Sequence, residues 1–466
     1  MDEDTGMSYD TNPSQPVFSQ SQPQGQPHYD PDRKMIDLVF VQDCTGSQGS
    51  YISSATRNIE TICAHIFESG RLQEPEDLRV GLVAYRDHPP QDHTWVYKKF
   101  DFTSDISSVR HNLSTLYATG GGDGPEAVTA GLYQALTMDW RDQASKMVVL
   151  IADAPPHGIG EFGDGFDEGS PDGHDPILIA RQMASRGITL FFVACEPALS
   201  GYSYATDFFK ALTNITSGLM LPLTTADLLA HAIVGSVLEN LDMERLIREV
   251  GQAVATRILG QNESVDDVAR ELHERLLLRN ESTKKVVFES IYRESEESMH
   301  NVEIYMHTPT LAEARPHLRK VRGSRFTEKY IQARFQTSSY PYMPRVPPRS
   351  SETKPSISAT PASPTRLSTS PPRKVVSTFG SFSAPENVSV FGTAVQSTPF
   401  SLAGGKAAFG GMRNGNNALF ADDDDDDDDN NDLLGGRQRF ELREGQVTFD
   451  QAKRIAMQSA WRSMRT

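Results

Sequence analysis

Four almost wholly apolar runs, at 36–41, 80–85, 147–152 and 188–194, with Asp37 and Thr189 as the polar positions, are separated by segments long enough to form helices. Continuous apolar runs are what strands buried on both faces require. Their alternation with helical segments predicts crossover connections within a mostly parallel sheet. Residues 95–102 read as one further strand, an antiparallel edge beside 80–85. Residues 34–240 are therefore expected to form a doubly wound α/β domain. The periodicity then changes. Leu246, Val250, Val254 and Ile258 fall four apart, and Val265, Val268, Leu272, Leu276 and Leu277 share one stripe. Ser264 ahead of Asp266 and Asp267 supplies an N-terminal signal. Residues 241–335 are read as a mainly helical region.

The flanks lack both patterns. Residues 1–33 are rich in Gln, Ser, Pro and Asp, and residues 336–440 in Ser, Thr, Pro, Gly and Asn, ending near eight consecutive aspartates at 422–429. Neither stretch can bury enough apolar surface to offset its ordering entropy, so both are expected to be disordered. Pattern returns at 441–466, read as a C-terminal amphipathic helix. Thr448 and Gln451 form a capping box, and Phe449, Ala452, Ala456, Ala460, Trp461 and Met464 make an apolar side. Its Lys453, Arg454, Arg462 and Arg465 suit a partner groove, an anionic membrane or the aspartate run. The alanine-rich stripe is weak, which favours a peripheral protein contact.

Composition supports unfolded flanks: with glycine counted in place of tyrosine the apolar share is about 42%, under the ~45–50% of globular chains. The 62 acidic and 45 basic residues give a formal charge of −17. That sign disfavours a nucleic-acid binder acting through whole-molecule charge, and none is expected. Residues 315–334 hold seven basic residues against one acidic, Glu328, and read as a solvated helical face or one docked on the acidic domain. Three cysteines, Cys44, Cys63 and Cys195, make no disulfide framework and no CxxC pair. The acidic start has no apolar core and is not a secretory signal. No apolar run approaches the ~20 residues of a membrane span. The expectation is a soluble cytoplasmic protein.

Three segments of the α/β domain place oxygen donors just past strand or loop ends. They are Asp43-Cys44-Thr45-Gly46-Ser47 after the first run, Thr119-Gly120-Gly121-Gly122-Asp123-Gly124-Pro125-Glu126 before a helix, and Asp153 closing the third run. In parallel sheets ligands gather outside the carboxyl ends of strands, where all three segments can converge. Carboxylates with small hydroxyls, with no Cys or His among the donors chosen, favour Mg2+ or Mn2+ over zinc or copper. Alternate positions 43, 45 and 47 can face one ion, and glycines 120–122 allow close approach.

These three segments resemble the metal-ion-dependent adhesion site (MIDAS) of von Willebrand factor type A (VWA) domains, over about residues 34–240. The VGLVAYRDHP and GGGDGPEA segments and the long loop after Asp153 look closest to the intracellular A domains attached to atypical alpha-kinases. The resemblance implies a Rossmann-like fold, hydroxyl ligation by Thr45 and Ser47, and ligation by Asp43, Asp123 and Asp153 directly or through water. Family members most often carry serine where Thr45 stands, and threonine where Asp123 stands. A third carboxylate makes an acidic ligand from a partner less welcome. It does not bring a kinase, since no strand, Gly-rich loop and lysine set of that type is present.

The loop 154–176 carries six acidic residues and no Lys or Arg. It reads as an exposed, solvated lid, with Asp164, Asp167, Glu168, Asp172 and Asp175 off the EF-hand spacing. His157 and His174 read as ordinary loop residues. Ser363 and Ser370 stand in proline-directed motifs with a basic residue at +3, and Phe379, Phe391 and Phe409 each precede glycine. The expected function is a non-enzymatic protein-interaction protein whose domain uses a divalent cation to order a partner-binding surface. The alternatives are a phosphoryl-transfer enzyme with Asp43 as nucleophile and a metal-free structural domain. The first of these lacks a lysine near Asp123 and Asp153, Lys146 standing at the far end of its run.

Overall fold

The computed structural model describes residues 33–336 and 440–464. Strand β1 (Ile36–Asp43) is central in a six-stranded sheet with β2 (Leu78–Tyr85), β3 (Tyr97–Thr103), β4 (Ser145–Ala152), β5 (Ile188–Cys195) and β6 (Met220–Leu223). The spatial order is β3–β2–β1–β4–β5–β6. All pairings are parallel except β2–β3, in which Tyr85 faces Tyr97.

Side chains of β1 alternate between two cores. Leu38 and Phe40 enter one with helices α1 (Gly49–Glu68) and α2 (Ile106–Ser114), and Val39 and Val41 the other with α3 (Val128–Leu136), α4 (Pro176–Ser185) and α5 (Ala205–Ile215). Burial on both faces is why residues 36–41 are apolar except for Asp37, whose carboxylate pairs with Arg79 and Arg141, whereas edge strand β3 alternates exposed with half-buried positions. Chain order reverses at β1, because β2 is added on one side of it and β4 on the other. That reversal opens a crevice at the carboxyl ends of β1 and β4.

The boundary expected at residue 240 falls inside α6 (Leu229–Ala255). The helix cannot break there because both halves are buried: Ile233, Val237 and Leu241 join the first core, and Leu246 and Val254 join a third. The third core is completed by α7 (Val265–Leu278), where Ser264 caps the Asp267 N–H as expected, and by Ile455 and Ala456. Residues 241–335 are mainly helical, as expected, with one strand among the helices. After α7 comes β7 (Ser282–Phe288), then α8 (Glu296–His307), α9 (Leu311–Ala314) and α10 (Glu328–Gln336).

The C-terminal segment is likewise more than a helix. It opens as β8 (Phe440–Gln446), antiparallel to β7 with Ser282 opposite Gln446 and Phe288 opposite Phe440, before α11 (Phe449–Ser463) begins at the Thr448–Gln451 capping box. Carboxylates on α6 occupy the other edge of β7: Lys284 N–H donates to Asp242 (2.9 Å) and Val286 N–H to Glu239 (2.8 Å). Those buried acids are neutralised by Arg71 on Asp242 and Arg454 on Glu239. Arg462 pairs with Glu244 at 2.6 Å and Lys453 with Asp266 at 2.6 Å. The basic face of α11 therefore meets this chain's own acids. In the basic stretch, Arg315 contacts Asp167 and Glu168, and Arg325 contacts Asp207 and Ser203, which is the docked arrangement.

Residues 1–32, the Asp422–Asp429 run, Ser363, Ser370, the Phe-Gly dipeptides and Arg465 lie outside the described residues. Among the described residues no helix is long and apolar enough to cross a membrane.

Candidate metal centre

The crevice is a cleft of about 520 Å³ lined by Thr45, Ser47, Asp123, Glu126, Asp153 and glycines 120–122, among others. Asp43, the last residue of β1, lies beneath it and is fully buried. Its Oδ1 accepts from the Thr45 N–H (2.8 Å) and the Thr45 hydroxyl (2.7 Å). Its Oδ2 has no hydrogen-bond partner among the described residues. Burial, and then the Asp153 charge, push the Asp43 carboxyl up to about 7. The Thr45 bonds oppose that shift, as does the nearby Tyr85 hydroxyl, which is itself outside hydrogen-bond geometry.

Two loops close over Asp43. Gly46 N–H donates to the Gly120 carbonyl (3.3 Å) and Thr119 N–H to the Cys44 carbonyl (3.0 Å), so the glycine loop lies against the 44–47 turn. Gly121 has φ of +81°, and a Cβ there would stand 2.7 Å from Glu126 Oε1 and 3.4 Å from Thr45 Cβ. Only glycine accommodates both the left-handed backbone and that approach. Glu126 N–H donates to the Pro155 carbonyl (2.9 Å), tying this loop to the segment after Asp153.

Asp43, Thr45, Ser47, Asp123 and Asp153 are thus all in or under one cleft, with Ser47 exposed and the others buried or half-buried. Glu126 joins them. It is buried, its Oε2 has no partner among the described residues, and burial followed by the Asp43 charge pushes it up to about 11. The sequence pattern contained its signal: an acid directly ahead of a buried helix, in a loop already selected for its glycines.

Asp123 faces a second set of groups. Its Oδ2 accepts from the Gly165 N–H and, at 3.5 Å, from the Gln91 amide, while its Oδ1 has no partner among the described residues. Burial raises its carboxyl above the ordinary value. One ligand atom each from Asp87, Asp123 and His157 lies within 4.8 Å of the others. His157 is not an ordinary loop residue. It is 1% exposed, with Nε2 at 2.7 Å from Asp87 and Nδ1 at 2.7 Å from Asp164. Burial alone would lower its pKa, but the bonds to Asp164 and Asp87 outweigh that and push it up to about 9. Asp87 sits just past β2, and the strand-end rule that selected Asp43 would have found it. His174 instead stacks on Tyr133, with ring centroids 3.6 Å apart.

The acidic loop is also less solvated than expected, because its carboxylates satisfy backbone donors. Asp164 accepts from Gly158 and Phe166, Glu161 from Ser203 and Tyr204, and Asp175 caps α4 while holding the Leu311 N–H.

Residues 37–218 match the family model of the von Willebrand factor type A domain, and the chain carries a domain of that family. Alpha-protein kinase vwkA of Dictyostelium discoideum is 31% identical over 160 residues, 34% of this chain and 25% of that protein. A putative ariadne-like RING finger protein, R811, of Acanthamoeba polyphaga mimivirus is 28% identical over 204 residues, 41% of this chain and 19% of that protein. The chain thus spans a quarter or less of the length of these curated relatives. Among solved structures, the pilus adhesin SpaC of Lactobacillus rhamnosus GG matches with a TM-score of 0.34 and 14% identity, covering 45% of this chain and 31% of the adhesin. The expected resemblance to A domains attached to alpha-kinases is consistent with the vwkA match, which covers a quarter of that protein.

Proposed function

We propose that this chain is a non-enzymatic protein-interaction protein in which a divalent cation, Mg2+ or Mn2+, held by Asp43, Thr45, Ser47 and Asp153, orders the cleft rim for a protein partner. Asp123, with Glu126 beside it, contributes through water or from the cleft wall. The carrying observation is the Asp43 carboxylate: fully buried, with one oxygen unbonded among the described residues, and in the field of Asp153 and Glu126. Buried charges are costly unless paired, and a hard cation is the counter-charge that carboxylates and hydroxyls fit. Bound there, the ion would supply positive charge and an open coordination position at the rim.

The phosphoryl-transfer reading has less support. Asp43 is covered, its Oδ1 is committed to Thr45, and Lys146 reaches the Arg186 carbonyl (3.5 Å) at the opposite end of β4. The free, buried Cys44, Cys63 and Cys195 suit a reducing, cytoplasmic setting.

Calorimetric titration of Mg2+ into the full chain, wild type against Asp43→Ala, tests the reading. A full chain is required because α6 runs through the domain boundary. Binding heat in the wild type alone is expected. No heat, with equal thermal stability in Mg2+ and in chelator, would overturn it.

A further inference from the structure

Asp87, Asp123 and His157 come from three different loops, and the cation reading above leaves Asp87 and His157 without a task. Their arrangement is specific. Asp164 is fully engaged, accepting from His157 Nδ1 (2.7 Å), Gly158 N–H (2.7 Å) and Phe166 N–H (2.9 Å), and so fixes the imidazole plane. The other imidazole nitrogen, Nε2, is turned to Asp87. An imidazole backed by a carboxylate on one nitrogen, with the other aimed at acidic oxygens, is the usual setting of a metal-ligating histidine.

Asp87 supplies an independent observation. It is completely buried; Oδ1 accepts from the His88 N–H (2.7 Å) and faces His157, while Oδ2 has no partner among the described residues. Asp123 Oδ1 is also without one. A proton on His157 provides one positive charge among Asp87, Asp164 and Asp123 and leaves both oxygens unbonded. A divalent ion would compensate more of that charge and bond both. His88, 3% exposed with Nε2 outside hydrogen-bond geometry and 4.0 Å from Asp172, stands next to the group as a further donor, its ring centroid 6.0 Å from that of His157.

We propose that Asp87, Asp123 and His157 Nε2 form a second cation site, for a borderline divalent transition metal of the Zn2+ class, with Asp164 as its positioning residue. The donor set chooses the metal: imidazole nitrogen suits zinc and its neighbours, whereas the all-oxygen cleft suits Mg2+. Zinc bonds of about 2.0–2.2 Å set ligand atoms roughly 3.3 Å apart. The candidate ligand atoms already lie within 4.8 Å of one another, so no pair would have to close by more than roughly 1.5 Å, a small movement for side chains on loops. Such an ion would fasten the end of β2, the glycine loop and the loop after β4 into one wall of the cleft.

The test uses the full chain, stripped of metal and titrated with Zn2+ in excess Mg2+. One Zn2+ per chain is expected to survive gel filtration, and Asp43→Ala is expected to retain it while losing Mg2+, which separates this site from the cleft. His157→Gln should weaken Zn2+ binding at least about tenfold. If that variant does not fold, Asp123→Asn, altering a half-buried residue, should show the same loss. The wild-type chain loaded with Co2+ should show imidazole coordination. An all-oxygen Co2+ spectrum, no Zn2+ retained in Mg2+, or unchanged Zn2+ affinity in His157→Gln would each overturn the proposal, leaving His157 as a buried ion-pair partner.

Discussion

Replacing Asp43 by asparagine should change stability in opposite directions with and without Mg2+. The wild-type carboxylate is fully buried, with Oδ2 unbonded among the described residues and with Asp153 and Glu126 close enough to disfavour its charge. An unsatisfied buried polar group costs about 1–3 kcal/mol and more when it is charged; the asparagine amide would stay unbonded there, so only the charge part is relieved. Asparagine keeps an acceptor for the Thr45 N–H and hydroxyl but removes the charge. Those two bonds weaken when their acceptor becomes neutral, which returns about 1 kcal/mol of the gain. In chelator the variant should therefore unfold about 1 kcal/mol harder than the wild type. At a Mg2+ concentration of 100 Kd the wild type gains about 2.7 kcal/mol and the variant close to nothing, so the order reverses by about 2 kcal/mol. Urea unfolding of the full chain, repeated in chelator and in Mg2+, reads both signs. If the variant is less stable by the same amount in both conditions, Asp43 is only an acceptor for the 44–45 turn, and the cation argument fails.

Arg454→Ala removes the cation from Glu239 while that carboxylate still holds the Val286 N–H, and should cost about 3–5 kcal/mol in urea unfolding. A cost under about 1 kcal/mol would mean that the pair is not buried in solution. Burial alone would raise the Glu244 carboxyl, yet Arg462 and Arg248 hold it below its ordinary value of 4.5. Its stabilisation is therefore present above that value and lost as pH falls through the lower, folded one. Glu244→Gln should be less stable than the wild type at neutral pH, with the gap narrowing on acidification; a gap constant with pH would refute the assignment. Gly121→Ala forces a Cβ toward Glu126 at a φ of +81°, and should cost about 1–2 kcal/mol and weaken Mg2+ binding in the same calorimetric titration.

The sheet was legible because both of its faces are covered, which forces long apolar runs such as 80–85 and 147–152. That Asp43, Thr45, Ser47 and Asp153 would gather at one cleft was legible because strand ends in such a sheet share one edge, and a chain leaving a strand repeats its direction every second residue. Asp87 and His157 were harder to read, because their meaning is a distance between loops separated by 70 positions. Strand β8 was illegible for a related reason. The segment FELREGQ is half polar and reads as a strand only beside β7, which precedes it by more than 150 residues. The arginines of α11 looked like a surface for another molecule because nothing in their spacing points to acids on α6.

The pairing of β7 with β8 also sets a clock for biosynthesis. When α6 and β7 leave the ribosome, Glu239 and Glu244 have no Arg454 or Arg462 to meet, and the third core lacks Ile455 and Ala456. At translation speeds of about 5–20 residues per second, the intervening chain delays them by roughly 10–35 s. During that interval the A domain can complete its sheet and cleft while its flank stays unsealed. A nascent chain would thus pass through a stage with a formed cleft and an open acidic groove along α6, available to whatever basic, strand-forming peptide reaches it first.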